Sequence, residues 1–434
     1  MDNRSLISKL QTFLIILAAV LMLVSCLRPS AATPDGTALA SAPVTTDSLS
    51  PEISEEPLST FYVPASETID VRPVPKPDES TDMPVDLPKY VPADPVMEMV
   101  SSLSDEELIG QMVMCGFSGV SSPSSDFLAF MEKYKVGNVI LFGDNIETDE
   151  QTRKLTSVLN EHNPVKDIPL FISTDLEGGS VRRFNSWKPN ILSAKRLYQK
   201  DDPEFTYEQF LRISGRLKEC GINMNLAPVL DMSKNQDATF LGTRIFGGDP
   251  ERVSEQANAA VAGIKDGGVV SIGKHYPGHG GSNEDSHART PVINSTLEEM
   301  NGYELIPFRS AVENGIDGIL VGHLLYPEVD GEIASVSHRF ITEILREDMG
   351  FDGLVMSDDM RMGGITGKYS AGEAAVRFIE AGGDMVLIGK RAGLQEQVFE
   401  SIYEALDSGR ITRERLEESA LRILRLKFSL KDGI

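Results

Sequence analysis

The run Lys274-His275-Tyr276-Pro277-Gly278-His279-Gly280-Gly281-Ser282-Asn283-Glu284-Asp285-Ser286-His287 holds three of the chain's six histidines. An aspartate stands two residues ahead of the last of them. Imidazole has an ordinary pKa that lets it take and give a proton near neutrality. A carboxylate hydrogen-bonded to it holds the ring and favours its protonated form. Asp285 and His287 together could therefore act as a general acid. Farther on, Asp358-Asp359 follows the apolar run 353–357. Neighbouring residues of a strand face opposite sides, so only one of these two carboxylates can point into a site.

Two chemistries suit these groups. A lone nucleophilic carboxylate with a separate proton donor is the equipment of a glycosidase that retains configuration. Alternatively, His275, His279, Asp285 and His287 could supply zinc ligands. Against the metal, glycine-containing stretches separate those ligands, and Arg183, Arg244 and Lys274 bring positive charge to the same region. Gly178-Gly179 lacks the spacing and the following acid of a dinucleotide loop, and no Gly-x-Ser-x-Gly elbow is present.

Such groups must be brought together by a framework, and the chain carries one. Eight short apolar, β-branched runs (111–116, 138–142, 170–175, 224–231, 269–275, 318–323, 353–358 and 385–390) alternate with amphipathic stretches such as 149–161, 203–220, 250–267, 297–314, 337–349 and 371–382. A last helix is expected over about 412–428, its Leu416, Ala420, Leu421 and Leu424 stripe packing on the sheet. This pattern predicts a (β/α)8 TIM-type barrel, with an open doubly wound sheet as the alternative. Asp175, Asp231, Lys274-His275, His323, Asp358 and Lys390 each end a different run. A barrel aims all those ends at one mouth, whereas an open sheet spreads them along an edge.

The net charge of −24, from 65 acidic and 41 basic residues, argues against a nucleic-acid partner. Arg4 and Lys9 precede an apolar run over 12–24 that is long enough for a signal segment but short for a spanning helix. Leu23-Val24-Ser25-Cys26 resembles a bacterial lipobox. That resemblance implies cleavage before Cys26, lipid on its thiol and new amino group, and an exported protein tethered to the membrane facing outside the cytoplasm. The segment 27–94 is rich in Pro, Ser, Thr and acids and reads as a disordered linker. The domain is expected over 95–430, its first helices opened by Ser104 with Glu107 three residues on. Cys115 and Cys220 sit in apolar surroundings and read as buried thiols.

The motifs, taken together, resemble glycoside hydrolase family 3, in its bacterial single-barrel β-N-acetylglucosaminidase form. The resemblance rests on 274–280 followed by Asp285-Ser286-His287, on Asp175-Leu176-Glu177-Gly178-Gly179-Ser180-Val181-Arg182-Arg183-Phe184, on Asn225 to Asp231, on Gly242-Thr243-Arg244-Ile245-Phe246 and on Ser357-Asp358-Asp359-Met360. It covers about 97–430. Ser180, Gly281 and Ser282 depart from the usual residues of these motifs. By the resemblance Asp358 is the nucleophile, His287 the acid/base and Asp285 its partner. Asp175, Arg183, Arg244, Lys274 and His275 bind the terminal sugar, and Glu177 orients neighbours. It implies no metal or cofactor, a GlcNAc-containing glycan or muropeptide as partner, and a monomer. The two-domain β-glucosidases of the family draw their acid/base from a second domain, for which this chain has no room. A β-glucosidase or xylosidase, a phosphorylase and a non-catalytic carbohydrate-binding lipoprotein are the alternatives.

Overall fold

The computed structural model describes residues 94–430 except 185, 188–190, 234–239 and 280–281. The signal segment 1–26 with its lipobox Cys26, and the linker up to 93, lie outside the described residues. Asp94, placed at the end of the linker by the sequence, belongs to the folded unit. Its carboxylate caps the helix Pro95–Ser102 through Val96 N and pairs with Arg425 at 2.7 Å.

Eight parallel strands form one sheet: β1 (Val113–Gly116), β2 (Asn138–Leu141), β3 (Phe171–Thr174), β4 (Met224–Asn225), β5 (Val270–Tyr276), β6 (Gly318–Val321), β7 (Leu354–Ser357) and β8 (Val386–Ile388). Their order is β7-β6-β5-β4-β3-β2-β1-β8. The ends meet where Met356 bridges Met385, Ser357 N–H donates to Met385 O and Leu387 N–H donates to Ser357 Oγ. The sheet is therefore a barrel, not the open alternative. Every strand residue is buried, as parallel strands enclosed by helices must be.

Most predicted elements fall where expected, and the exceptions have local causes. β4 is only two residues long, yet bonding to β5 carries on beyond it: Ile272 N–H donates to Ala227 O, Lys274 N–H to Pro228 O and Leu230 N–H to Lys274 O at 2.6 Å. The stretch 297–314 is two helices, Leu297–Asn301 and Ile306–Glu313. Pro307, in the first turn of the second, cannot continue a helix from upstream. The 337–349 stretch winds as a π-helix over Arg339–Asp348. The helix Ala392–Asp407, which follows β8, was not anticipated. Ser104 and Glu107 do form the reciprocal cap.

The last helix, Arg413–Ser429, packs as expected, with Leu416, Ala420 and Leu424 buried and Leu421 partly so. Its Lys427 is buried under the amino ends of β1 and β2, donating to Gln111 Oε1 at 2.7 Å and Gly137 O at 2.8 Å. The floor is thus closed by side chains, and the mouth at the carboxyl ends is left for the site. Cys115 and Cys220 are free and buried. Among the described residues no helix is long and apolar enough to cross a membrane.

Candidate active site

Asp358 is the first residue past β7, its N–H held by Val321 O at 3.0 Å. Asp175 follows β3, Asp231 follows the β4 segment, and Lys274 and His275 lie within β5. Arg244 closes a short 3-10 turn, Gly242–Arg244. Arg183 sits in the left-handed region at φ 45°. Apart from Asp231, which is buried behind it, these residues and His287 line one cleft of about 490 Å³. Of the predicted site residues only Asp285 stands back from that surface, behind His287.

The β3–β5 side is a lattice of opposite charges. Lys274 Nζ reaches Asp175 Oδ1 at 2.9 Å and Glu177 Oε1 at 2.7 Å. Arg183 meets Asp175 at 2.7 Å, and Arg244 grips Glu177 with two bonds of 2.8 Å. Burial alone would raise the Asp175 and Glu177 carboxyls. Lys274 with Arg183, and Lys274 with Arg244, outweigh it and hold both below their ordinary values. Lys274 is raised in turn, since the two acids overcome its burial. Fixed charges with unused lone pairs and N–H groups at a cleft surface can hold the hydroxyls and amide of a sugar. Replacing Lys274 with methionine should cost about 3–5 kcal/mol of stability, because two buried carboxylates would lose their shared cation. The shift of the denaturant midpoint measures it.

Behind that lattice, Asp231 is fully enclosed. Its Oδ2 takes the His275 N–H at 3.0 Å and the His275 ring Nδ1 at 2.6 Å, and its Oδ1 takes the His279 N–H at 2.6 Å. Nδ1–H donation to Asp231 leaves His275 Nε2 as an acceptor facing Arg244 at 3.3 Å. Burial would raise Asp231, but the two histidines hold its carboxyl well below the usual range. The His279 ring is buried against Phe240 and His275, and burial pushes it down to about 4 against the weaker pull of Asp231.

Unfolded histidine titrates near 6.5, so the fold favours neutral His279. The stability this provides is complete above about pH 6.5 and is lost as pH falls towards 4, about 3 kcal/mol in all. Urea midpoints at pH 7.5 and 4.5 should differ accordingly, and the difference should shrink in His279→Asn.

The cleft presents four carboxylates, and three are already committed. Asp175 and Glu177 are ion-paired as above. Asp359 takes Arg361 in a two-pronged bond (Nη2 to Oδ2 2.6 Å, Nε to Oδ1 3.1 Å) and also the Gly389 N–H. Of the four, only Asp358 makes no ion pair with the described residues; its carboxylate takes only the N–H of Asp359, at 2.8 Å. Burial would raise it, but the fields of His275 and His323 and the Asp359 N–H keep it low, hence ionised near neutrality. An ionised carboxylate with no cation clamped on it is free to attack.

His287 also lines this cleft. Its Nδ1 meets Asp285 Oδ1 at 2.8 Å, and the same oxygen takes the His287 N–H at 2.9 Å. With Nδ1–H so held, Nε2 is the atom left to carry a proton to and from a substrate. Burial opposes it, but these two bonds lower the Asp285 carboxyl, so the imidazole keeps an anionic partner. The dyad is exposed on the rim. Its backbone is nevertheless fastened to the turn after the nucleophile: Gly363 N–H donates to His287 O at 2.9 Å and Gly364 N–H to Ser286 O at 2.8 Å. A Cβ on Gly364 would sit 2.8 Å from Ser286 O and 3.0 Å from the His323 side chain. Nothing in the local pattern announces this clamp, which joins segments far apart in the chain.

Other strand-end residues are placed elsewhere. His323 is buried under the site, bonded to Ser335 Oγ at 2.7 Å and Asp359 O at 3.2 Å. Lys390 pairs with Asp144 and lies over the Phe142 ring, off the catalytic cleft. The zinc alternative divides into separate pairs, His275 with Asp231 and His287 with Asp285. Among the described residues no group of three His, Cys, Asp or Glu is placed to hold a metal. Glu177, Asp231 and Asp359 were visible in the motifs, but their partners were not. Arg361, which occupies Asp359, went unnoticed although only one residue separates them.

A barrel mouth that, among the described residues, joins one unpaired carboxylate, an imidazole on its rim and a charged lattice in one cleft is the site of a glycoside hydrolase. The profile of the glycosyl hydrolase family 3 N terminal domain matches residues 104–426. A β-hexosaminidase of Nitrosomonas eutropha is 31% identical over 293 residues, covering 65% of this chain and 83% of that one. One of Chromobacterium violaceum is 36% identical over 261 residues, covering 58% and 71%. The solved family 3 β-N-acetylglucosaminidase of Paenibacillus sp. FPU-7 superposes with a TM-score of 0.72 at 35% identity, covering 77% of this chain and 64%, under two thirds, of that one. The β-N-acetylhexosaminidase of Beutenbergia cavernae superposes with a TM-score of 0.70 at 26% identity, covering 75% and 99%. The chain belongs to glycosyl hydrolase family 3.

Proposed function

We propose that the protein is an exo-acting β-N-acetylglucosaminidase that retains anomeric configuration. The observation that carries this is Asp358, the one cleft carboxylate unpaired among the described residues, in a cleft it shares with His287. In the first step an Asp358 oxygen attacks C1 of the terminal sugar, and the bond from C1 to the leaving oxygen breaks. That oxygen takes the proton from His287 Nε2. In the second step Nε2 takes a proton from water, whose oxygen attacks C1 and releases Asp358. Asp285 holds the imidazolium as it forms and discharges. A histidine donor spares the site a second free carboxylate, which would repel an anionic substrate.

The lattice of Asp175, Glu177, Arg183, Arg244 and Lys274 walls one side of the cleft, which suits a terminal residue and supports exo action. The names of the relatives support the N-acetyl-β-hexosaminide preference. Cleavage before Cys26 and lipidation there would set the enzyme outside the cytoplasm beside the cell wall, so fragments of peptidoglycan are the natural substrate we propose, with a monomer acting on them.

Release of p-nitrophenol from p-nitrophenyl N-acetyl-β-glucosaminide should exceed release from the β-glucoside by about 10²-fold or more, since a site built to bond the acetamido group rejects the analogue lacking it. Comparable rates would point to a β-glucosidase. Appearance of the sugar 1-phosphate when phosphate is added would point to a phosphorylase.

A further inference from the structure

In the proposed reaction the groups on the β3–β5 side hold the terminal sugar, and Asp358, just past β7, attacks its C1. The same cleft runs on past Leu387 of β8 to Arg391. Four arginines line the catalytic cleft. Arg183, Arg244 and Arg361 are taken by Asp175, Glu177 and Asp359. The fourth, Arg391, just past β8 and exposed, makes no side-chain hydrogen bond or ion pair among the described residues. It also lines a second cleft of about 680 Å³, which lies over β1 and β8 against the helix Ser125–Lys133. The two clefts share Arg391 as their common wall.

We propose that this second cleft is the binding site for the leaving group, and that Arg391 takes a carboxylate carried on it. This rests on the exo-glycosidase reading above. A guanidinium is a planar fork that fits a carboxylate with two parallel bonds, and here the fork stands open in the cleft that holds Asp358 and His287. Behind it Phe117 and Phe127 stack with ring centroids 4.8 Å apart, an apolar wall for a sugar face or an alkyl substituent. The other cations of this cleft are engaged, Lys390 with Asp144 and Lys133 with Tyr134, so Arg391 is the open cationic position. The ligand class is a β-N-acetylglucosaminide whose next residue bears a carboxylate close to the ring, on an ether side arm or on a short peptide.

The experiment compares kcat/KM for β-N-acetylglucosaminyl-(1→4)-N-acetylmuramic acid with that for N,N′-diacetylchitobiose, one anionic and one neutral in the second residue. The wild-type chain should favour the anionic disaccharide. In Arg391→Gln the anionic-to-neutral ratio should fall about fivefold, the size of one partly exposed ion pair. Arg391→Lys should keep part of it. Raising salt to about 0.5 M should lower the ratio in the wild type and not in Arg391→Gln. Because the Arg391 side chain is exposed and makes no hydrogen bond or ion pair among the described residues, and its backbone bonds to Leu394 and Gln395 survive substitution, its replacement leaves the fold intact. Normal turnover with the same ratio in wild type and Arg391→Gln would overturn the assignment of Arg391 alone. A wild-type chain that cleaves neither disaccharide nor the aryl glycoside would overturn the glycosidase reading itself, and this assignment with it.

Discussion

Asp358→Ala should lower kcat for N-acetyl-β-glucosaminides by on the order of 10⁴-fold or more, since removal of a covalent nucleophile takes away both steps of the reaction. Its folding should hardly change. Among the described residues the carboxylate takes a single hydrogen bond, from the next residue's own N–H, and pairs with no cation. Midpoints of thermal unfolding within a few degrees of the wild type, beside a near-total loss of turnover, are the expected result. The neighbouring Asp359→Ala makes the contrast. It would release Arg361 and the Gly389 N–H, so its effect should fall on stability first and reach activity through the displaced loop. If Asp359→Ala were the more inactive of two equally stable variants, the nucleophile would be misassigned.

The second large effect is at His287. His287→Ala should reduce kcat/KM for a disaccharide by about 10²–10⁴-fold, the usual worth of a placed general acid. The loss should depend on the leaving group. A sugar alkoxide needs a proton as it departs, whereas p-nitrophenolate leaves unaided, so the first step with the aryl glycoside should suffer less. Breakdown of the intermediate still needs the base, so the aryl substrate should show a burst followed by slow turnover. Asp285→Ala should cost less than His287→Ala, since it frees the ring without removing it. The ring and its partner are exposed on the rim, so neither change should unfold the barrel. A uniform loss across leaving groups would mean that His287 positions substrate and moves no proton.

How much of this was legible in the chain divides along a physical line. Alternation of buried runs with amphipathic helices fixed the barrel, because eight fully buried parallel strands leave a strong apolar signal. Polar residues closing six of those runs located the mouth: Asp175 and Asp358 line it, and Asp231 is enclosed just behind. Pairings across the mouth were another matter. Lys274 between Asp175 and Glu177 joins β5 to the β3 loop, and Gly363 with Gly364 fastens the His287 segment. Such contacts depend on the closed barrel and have no local period. Lys390 shows the reverse error: its position at a strand end suggested the site, but it turns to Asp144. Only pairing geometry tells which strand-end charge is spent and which is free, and that is what singles out Asp358 and Arg391.

The central claim is that one carboxylate becomes covalently bound to the sugar. An activated N-acetylglucosaminide carrying a ring fluorine slows breakdown of such an intermediate, and intact-mass and peptide mass spectrometry then locate the adduct. The account predicts one sugar per chain, attached at Asp358, with its accumulation lost in Asp358→Ala. Turnover of that reagent with no adduct at any time, or an adduct on Asp359 or another residue, would contradict it.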